Sequence, residues 1–464
     1  MSAPWSQRLL DSPTRRLMLI GLLVLLLMIP ASMIRDVVTE REARRDAAVA
    51  DITAKWGGEQ QLTGPILRVP YTRQVIAQDD KGKAITRRES GVGYFLPKRL
   101  AIRAELTTER RKRGLFEVPV YVAAMHLSGA FEKPDLASWG VAPEDIDWPR
   151  AELLIGLTEP RSLRADAALA WAGQPLALKP STGQSGSWAA PGIHAALGPA
   201  IAESLATSDP AALTAFTLDL TLNGAQALHF APTAEETTVQ LMSDWPHPSF
   251  QGQWLPGRRE VVDGRDTAQW SVSHLGRNYP QRWRESSEIA ETVQGTRFGM
   301  SLATPLDLYA LADRSTKYAL LTLVFTFAVI WLLEVLSGQR VHPIQYGFVG
   351  AALCLFGLLQ LSFAEHFGFN AAFAVAAGSV LVLVTVYSHG VLKSTTRALA
   401  VGGVLGGIYA YLFVILRAED YALLGGSLAL LAGLALAMFV TRRVDWFATD
   451  AVASSASGVA TAIK

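Results

Sequence analysis

The sequence predicts a membrane protein with one N-terminal transmembrane helix, a large antiparallel, sandwich-like β domain and a C-terminal bundle of five transmembrane helices. Half of the 464 residues are hydrophobic, only 18% are charged, and the mean hydropathy is +0.23. These values are too apolar for an ordinary soluble protein and too polar for a chain made only of membrane spans. The apolar residues are segregated: 17–34 and 318–440 are almost free of charge, whereas 36–315 has an ordinary soluble composition.

The first predicted span is Leu17–Ile34, an uncharged run that follows Arg8, Arg15 and Arg16. A cleaved signal peptide is the alternative, because basic residues also precede the apolar core of such peptides. At about 18 residues the run exceeds the ~7–15 residues of that core, which favours an uncleaved anchor. The residues after it contain no helix breaker, so we expect the helix to continue into the β domain.

Five further spans follow, each about 20 residues long, which suffices to cross a ~30 Å hydrocarbon core at ~1.5 Å per residue. They are Tyr318–Leu336, Ile344–Ala364, Phe367–Tyr387, Ala398–Leu416 and Tyr421–Val440. With the first span this makes six, so both termini are predicted to lie on the same side of the membrane.

The basic residues beside the spans predict the orientation. Only Arg417 falls on one side, whereas the other side holds Arg8, Arg15, Arg16, Arg340, Lys393, Arg397, Arg442 and Arg443. Because cytoplasmic loops carry the excess of Lys and Arg, both termini are predicted to be cytoplasmic. The predicted domains are then a cytoplasmic N-terminus and anchor (1–35), a periplasmic β domain (36–315), a transmembrane bundle (316–447) and a flexible cytoplasmic tail (448–464).

Strands are predicted throughout the domain between the first two spans. In AFTLDLTLNG, Phe216, Leu218 and Leu220 alternate with Thr217 and Asp219, which is the period of a half-buried strand. Similar segments separated by Gly, Pro and Asp indicate a large sandwich with minor helices.

A short helix is predicted near 197–206, and the Pro-, Gly- and Ser-rich stretch 180–198 is interpreted as a loop or a boundary between two lobes. Cys354 is the only cysteine and lies in an apolar run, so no disulfide framework and no cysteine metal site are predicted. The domain must therefore be held by its own hydrophobic core, for which it is large enough.

No catalytic, cofactor-binding or metal-binding residue is predicted. HExxH, GxSxG, P-loop and dinucleotide-binding motifs do not occur, and GQSGS at 183–187 lacks the final glycine of a nucleophile elbow. The histidines of 36–315 show no short ligand spacing. A net charge of +1 without a basic stripe gives no indication of a nucleic-acid partner. Paired carboxylates of a glycosidase remain open, since such pairs need not be close in the chain.

The aromatic segment SDWPHPSFQGQWLPG, residues 243–257, is the most distinctive part of the β domain. It combines three prolines with Trp245, His247, Phe250 and Trp254. The segment is predicted to be a stiff loop, and the favoured interpretation is that its aromatic rings cap the β core. The functional alternative is a stacking platform for an envelope glycan or a docking loop for a partner protein.

Glu334 is the ionisable residue that comes closest to the interior of a span, at the cytoplasmic end of the second one. It is predicted to snorkel or to pair with Arg340, Lys393 or Arg442, with a functional polar site at the membrane interface as the alternative. No ionisable side chain falls near a span midpoint. A charge there costs at least ~2.5–3.5 kcal/mol and usually marks function, so its absence disfavours an ion-coupled transporter.

Glu365 and His366 lie side by side in LSFAEHFGFN at the junction of the third and fourth spans. This junction is at headgroup depth on the extracytoplasmic side, so the pair is a poor candidate for a relay across the membrane. Gly368 and the surrounding phenylalanines predict a tight turn within an interfacial aromatic belt. We expect Glu365 and His366 to dock the exported domain onto the bundle.

Small residues on the fifth span predict close helix packing. Gly402, Gly403, Gly406 and Gly407 form two overlapping GxxxG patterns. The close approach is predicted within the bundle, and a homo-oligomer interface is the alternative.

Four strings together resemble one family over essentially the whole chain. They are SDWPHPSFQGQWLP, RSTKYALL at 314–321, HPIQYGFVGAALCLFGLLQLSFAEHFGFN at 342–370 and EDYALLGGSLALLAGLALAMFVTRRVDW at 419–446. The chain resembles the CreD family of bacterial inner-membrane proteins, also called cell envelope integrity proteins. The resemblance implies expression tied to a sensor-kinase/response-regulator pair and a role in envelope integrity, including the response to β-lactams. It implies no known reaction and no catalytic residues.

Three functions are open at this point. The first is a non-enzymatic envelope-stress protein whose partners are the lipid bilayer, peptidoglycan and periplasmic or membrane proteins. The second is a small-molecule or lipid transporter of flippase type, with Gln360, Asn370 and Tyr409 along its path. The third is a periplasmic cell-wall hydrolase with dispersed carboxylates.

Overall fold

The computed structural model describes residues 13–78, 84–182, 191–209, 211–303, 307–337, 341–418 and 422–442. The chain divides into a helical unit, Met1–Asp46 with Leu306–Lys464, and a strand-rich unit, Ala47–Pro305. Some residues used for the predictions lie outside the described ranges: Arg8, the segment 183–187, Arg340, Arg443 and the tail 448–464.

Eight α-helices are found in the described residues. In chain order they are α1 (Pro13–Trp56), α2 (Gly198–Thr207), α3 (Ser287–Gly295), α4 (Leu308–Lys317), α5 (Ala319–Ser337), α6 (Pro343–Leu392), α7 (Thr395–Arg417) and α8 (Ala422–Thr441). The helix predicted near 197–206 is confirmed as α2.

The described strands lie in the strand-rich unit, between α1 and α4 in the chain. Its strands are β1 (Gln60–Gln78), β2 (Ala84–Phe95), β3 (Arg99–Arg113), β4 (Phe116–Glu132), β5 (Glu152–Leu157), β6 (Ala168–Trp171), β7 (Gln174–Leu176), β8 (Lys179–Pro180), β9 (Gly192–Ala196), β10 (Leu213–Ala225), β11 (Ala227–Phe230), β12 (Glu236–Ser243), β13 (Pro248–Gly252), β14 (Arg258–Val262), β15 (Arg265–Ser273), β16 (Arg282–Arg284) and β17 (Phe298–Leu302).

These strands form two sheets. The nine-stranded sheet has the order β13-β17-β11-β1-β5-β9-β8, with β2 on β1 and β16 on β2; the eight-stranded sheet has the order β14-β15-β12-β3-β4-β10-β6-β7. The prediction of a purely antiparallel fold is wrong at two places, because β1 pairs with β11 and β3 with β12 in parallel. Pattern alone does not reveal these pairings, since both partners are far apart in the chain.

The core of the strand-rich unit lies between the two sheets. In β10 the side chains of Phe216, Leu218, Leu220 and Leu222 are buried and join one cluster with residues of the other sheet such as Leu153. The predicted alternation of this strand is confirmed. The other face of the nine-stranded sheet is covered in part by α3, whose Ala290 and Val293 are buried with aromatic and aliphatic residues of that sheet.

Helix α1 is continuous from Pro13 to Trp56, which confirms that the helix extends beyond the predicted anchor. Its residues up to Asp46 belong to the helical unit, where Leu27 and Ala31 are buried in the core. Its last turns belong to the strand-rich unit, where Trp56 packs against buried residues of β4 and β10.

Four helical stretches of the described residues are long and apolar enough to cross a membrane: Arg16–Trp56, Leu308–Ser337, Pro343–Leu392 and Thr395–Arg417. A shorter apolar helix covers Leu424–Ala435. The described chain is therefore a strand-rich domain combined with long apolar helices, and the count of five C-terminal crossings stays a prediction.

Helix α6 folds back on itself at Gly368. This residue has φ 75° and ψ 166°, outside the helical region. Phe356 before it lies 5.3 Å from Phe373 after it, and Phe348 lies 6.2 Å from Tyr387, between ring centroids. These nested contacts require two antiparallel arms, which is the turn that the sequence predicted between the third and fourth spans.

Candidate functional site

The aromatic segment 243–257 is partly strand rather than loop. Pro248–Gly252 forms β13 and pairs with β17 at the edge of the nine-stranded sheet. Trp245, just before it, is only 4% exposed and donates its indole N–H to the carbonyl oxygen of Ala303 at 3.0 Å. Its ring therefore packs in the core, with the Arg110 guanidinium 5.4 Å from its centroid.

Phe250 and Trp254 are half-buried and belong to an aromatic cluster that joins the two sheets. Phe250 meets Trp270 edge-on at 5.6 Å, and Trp254 meets Phe298 edge-on at 5.9 Å. The Trp270 indole also donates to the Trp254 carbonyl at 3.1 Å. His247 is exposed on the connection to β13. The segment thus caps the core, as the favoured interpretation held, while the binding role stays a prediction.

Glu365 lies in a polar cluster of the helical unit that joins α1, α4 and α6. It accepts a hydrogen bond from the Tyr309 hydroxyl at 3.1 Å, and its carboxylate lies 3.8 Å from the Arg41 guanidinium. Arg45 adds an ion pair with Asp307 at 2.6 Å and stands over the Tyr309 ring at 5.2 Å. Asp307 also caps α4, since its carboxylate accepts from the Tyr309 backbone N–H.

His366 takes no part in that cluster. Its ring is exposed, and Nδ1 lies 3.1 Å from the Ser362 carbonyl of its own helix. Glu365 and His366 are neighbours in the chain, but their side chains have different partners, and only Glu365 takes part in the cluster. Docking of the exported domain by Glu365 and His366 stays a prediction.

Glu334 is buried in the helical unit, with 4% of its side chain exposed. It forms an ion pair with Arg16 of α1, and the Tyr346 hydroxyl of α6 donates to it at 2.9 Å. Among the described residues its cationic partner is thus Arg16, in place of the predicted Lys393 or Arg442. Three helices meet at this carboxylate.

A second buried polar contact lies farther along the bundle. The Ser315 hydroxyl donates to the Gln360 side-chain oxygen at 2.6 Å. The Gln360 amide nitrogen and the Tyr409 hydroxyl are buried, and within the described ranges neither has a hydrogen-bond partner. Asn370 and Tyr409 line an open groove of about 320 Å³ between α6 and α7.

The glycines of α7 divide into two faces. A Cβ at Gly402 would collide with the Thr385 side chain of α6, whereas Gly403 and Gly407 have open space at that position. Gly402 thus serves close packing within the helical unit, as the first interpretation held. Gly403 and Gly407 are exposed, and a homo-oligomer interface through them stays a prediction.

The strand-rich unit contains one buried histidine beside opposite charges. His229 of β11 is almost fully buried, its Nδ1 lies 3.1 Å from the Glu59 carboxylate, and Arg297 pairs with the same carboxylate at 3.3 Å. Burial lowers the pKa of His229, the Arg297 charge lowers it further, and the Glu59 charge opposes both. In the described parts of the chain, no three His, Cys, Asp or Glu side chains converge in a group suited to a metal ion.

Comparison with known proteins identifies the family. The family described as "Inner membrane protein CreD" matches residues 12–447. The Escherichia coli (strain K12) protein named "Inner membrane protein CreD" is 32% identical over 436 residues, which cover 92% of each chain. The chain belongs to the CreD family. Together with its apolar helices, this makes it a multi-pass inner membrane protein.

Sequence reasoning missed the polar contacts that this CreD-family chain makes within its helical unit. In the sequence Arg16 serves only as a sign of orientation, although it pairs with Glu334 across 318 positions. Arg45, Asp307 and Tyr309 lie within the range 36–315 that the sequence predicts to be exported, and in the structure they belong to the helical unit. The available signal was weak: an acidic residue near a span end calls for a partner, but nothing in the sequence says which helix supplies it.

Proposed function

We propose that this CreD-family protein is a non-enzymatic envelope-integrity protein of the inner membrane. Its strand-rich unit stands in the periplasm and engages cell-wall or partner-protein components, while the helical unit anchors it through one N-terminal and five C-terminal crossings. One observation carries the proposal: a large two-sheet unit, Ala47–Pro305, is inserted in the chain between apolar helices α1 and α4–α5. Such an insertion uses the helices to hold a folded domain at the membrane surface.

The orientation rests on the basic residues beside the spans. With cationic flanks concentrated on one side, both termini are cytoplasmic, and the domain assignment is 1–35, 36–315, 316–447 and 448–464. The arms of α6 on either side of Gly368 each supply one crossing, and α8 supplies the last. Arg16 and Glu334 then meet near the cytoplasmic surface.

The orientation is tested by labelling single cysteines in intact cells. The buried native thiol is first removed by Cys354→Ser. In that background Gln269→Cys, on an exposed position of β15, is expected to react with a membrane-impermeant maleimide. Thr396→Cys, at the start of α7, should react only after the membrane is disrupted. Labelling of Thr396→Cys in intact cells, or protection of Gln269→Cys, would refute the orientation.

Engagement in the periplasm is tested by photo-crosslinking the full chain in growing cells. A crosslinking residue at exposed positions of the strand-rich unit, such as Asn278 and His247, is expected to capture peptidoglycan fragments or envelope proteins. The same residue at Ser32 on the lipid-exposed face of α1 serves as the control for random capture. If crosslinking from Asn278 and His247 recovers the same material as crosslinking from Ser32, the proposal that the strand-rich unit binds periplasmic components is contradicted.

A transporter for a small molecule or lipid is the second candidate, favoured by the polar groups inside the bundle. Within the described part of the chain, Gln360 and Tyr409 each have a buried polar atom without a partner, and such atoms cost free energy unless a ligand or water satisfies them. Purified protein in proteoliposomes would then move a substrate, and Gln360→Leu would abolish the movement. Transport that is lost in Gln360→Leu with an unchanged melting temperature would favour this candidate over the first.

A further inference from the structure

A polar cleft opens on the strand-rich unit beside the aromatic segment. It has a volume of about 460 Å³, within the ~300–1,000 Å³ of typical ligand sites. Three pieces of chain enclose it: Gln253 after β13, the stretch 275–278, and the end of α3 at 292–296. The site lies wholly within one compact unit.

The cleft offers neutral hydrogen-bonding groups beside one guanidinium. Arg277 is the charged residue of its lining, and one guanidinium nitrogen donates to the carbonyls of Pro232 and Ala234, both at 2.9 Å. That side chain thus binds the protein interior. The amides of Gln253 and Asn278 are exposed, and among the described residues neither side chain hydrogen-bonds to the protein. Each amide can donate and accept at once.

Apolar side chains stand at the rim of the cleft. Leu275 is 84% exposed at the tip of a short 3₁₀ helix, His274–Gly276, and belongs to the lining. The indole nitrogen of Trp254 lies 3.7 Å from the place where a Cβ on Gly276 would stand, so the ring borders the same stretch. A single exposed leucine is ordinary on a protein surface. Here it stands beside a half-buried tryptophan and two free amides.

The walls are held in place before any ligand arrives. The Gln253 backbone N–H donates to the Arg297 carbonyl at 2.9 Å, and the Thr296 hydroxyl donates to the Thr292 carbonyl at 2.7 Å. The Ser273 hydroxyl accepts from the Leu275 backbone N–H at 3.4 Å. A fixed site loses less entropy on binding than a mobile one.

We propose that this cleft binds a neutral glycan, a sugar chain that carries hydroxyl and acetamido groups. Gln253 and Asn278 pair with groups that are donor and acceptor together, as sugar hydroxyls and acetamido groups are. Leu275 and Trp254 cover the apolar face of a sugar ring. The Arg277 guanidinium already donates to Pro232, Ala234 and Gln281, and the exposed amides that remain for a ligand, Gln253 and Asn278, are neutral. The inference rests on the proposed function and gives its periplasmic unit a ligand class.

The test measures binding of tetra-N-acetylchitotetraose to the purified full-length chain in detergent, by calorimetry and by tryptophan fluorescence. The double variant Gln253→Ala/Asn278→Ala is expected to raise Kd by at least about tenfold, since two ligand hydrogen bonds are lost. Gln269→Ala removes an exposed amide of β15 that is not part of the lining and should leave Kd unchanged. Equal melting temperatures establish that all variants are folded.

A ligand control uses the deacetylated tetrasaccharide, which is cationic and lacks the acetamido groups. It is expected to bind at least about tenfold more weakly. Equal affinity for both saccharides, equal Kd in the double variant, or no binding to the wild-type chain would overturn the inference. If glycan binding fails while crosslinking still captures envelope proteins, the proposed function survives. If glycan binds but cysteine labelling places the unit in the cytoplasm, the proposed function fails.

Discussion

At the scale of single residues, Arg16 and Glu334 form a buried ion pair that connects α1 to the rest of the helical unit. Glu334 is almost fully buried and also accepts from Tyr346, so its carboxylate has two partners on two other helices. A buried pair contributes little net stability compared with apolar residues, but loss of one partner leaves a charge without compensation. We therefore expect the contact to specify the position of α1 more than it stabilises the helical unit.

A double-mutant cycle on this pair should show strong coupling. Arg16→Gln and Glu334→Gln are each expected to destabilise the protein by about 3 kcal/mol, and the double variant by clearly less than the sum. Thermal unfolding in detergent measures the effect. Arg35→Gln is the matched control, because its pair with Asp313 at 3.0 Å is solvent-exposed and should contribute less than about 1 kcal/mol. Additive losses in the cycle would show that the pair does not act as a unit.

His229 should make the strand-rich unit sensitive to mild acid. Its pKa is lowered in the folded state by burial, so between that value and about 6.5 the unfolded chain binds a proton that the folded chain does not. Stability therefore falls as pH drops below about 6.5, by at most ~1.4 kcal/mol per pH unit. Thermal unfolding followed by tryptophan fluorescence at pH 7.5 and 5.5 checks this.

The variant His229→Gln supplies the control for that experiment. It removes the titrating group beside Glu59 and Arg297, so its melting temperature should change less between the two pH values than that of the wild-type chain. The exposed His126, which contacts Asp219, provides a second control through His126→Gln. Equal pH dependence in wild type and His229→Gln would assign the effect to other groups.

At the scale of elements, the turn within α6 depends on one glycine. At Gly368 the values of φ 75° and ψ 166° lie in a region that is essentially restricted to glycine, and a Cβ there would meet no other atom within 4 Å. The cost of Gly368→Ala is therefore conformational and should amount to about 1–3 kcal/mol. Gly378→Ala, in the second arm with helical backbone and open space, should be neutral or slightly stabilising. Equal melting temperatures of the two variants would contradict this account.

Strand β13 shows where sequence patterns fell short. The prolines around it favour a loop, yet Pro248 begins a strand. An edge strand tolerates proline because one side of its backbone needs no partner, and β13 is the last strand of its sheet. Whether a strand lies at an edge depends on the pairing of distant segments, so the sequence contains no local sign of it.

Other elements were predictable because a local pattern decides them. The alternation in β10, the helix α2, the extension of α1 and the turn at Gly368 each follow from neighbouring residues. The parallel pairs β1–β11 and β3–β12, and the partners of Glu334 and Glu365, are contacts between distant segments. Flanking charges and hydropathy predict which segments share a side of the membrane, but they do not identify which residues pair with each other.

At the scale of the whole molecule, one face of α7 is available for self-association. Gly403 and Gly407 are exposed and one helical turn apart, whereas Gly402 is used inside the unit. If copies pair through this face, Gly403→Leu/Gly407→Leu should raise the dimer dissociation constant by at least about tenfold. Native mass spectrometry from detergent measures the dimer fraction.

The control for self-association is Gly390→Leu, an exposed glycine near the end of α6 that also has open space around it. It should leave the dimer fraction unchanged. A wild-type chain that is monomeric at all concentrations, or a double variant that dimerises normally, would remove this face as an interface.

The pairing of Arg16 with Glu334 also fixes an order of events during synthesis. The two residues are 318 positions apart, with the entire strand-rich unit between them. At roughly 5–20 residues per second, a ribosome needs about 15–60 s to travel that distance. During this interval the first helix is already made while its acidic partner does not yet exist. Arg16 therefore forms this contact only after α5 has been made, and the helical unit is completed only when the last third of the chain has been synthesised.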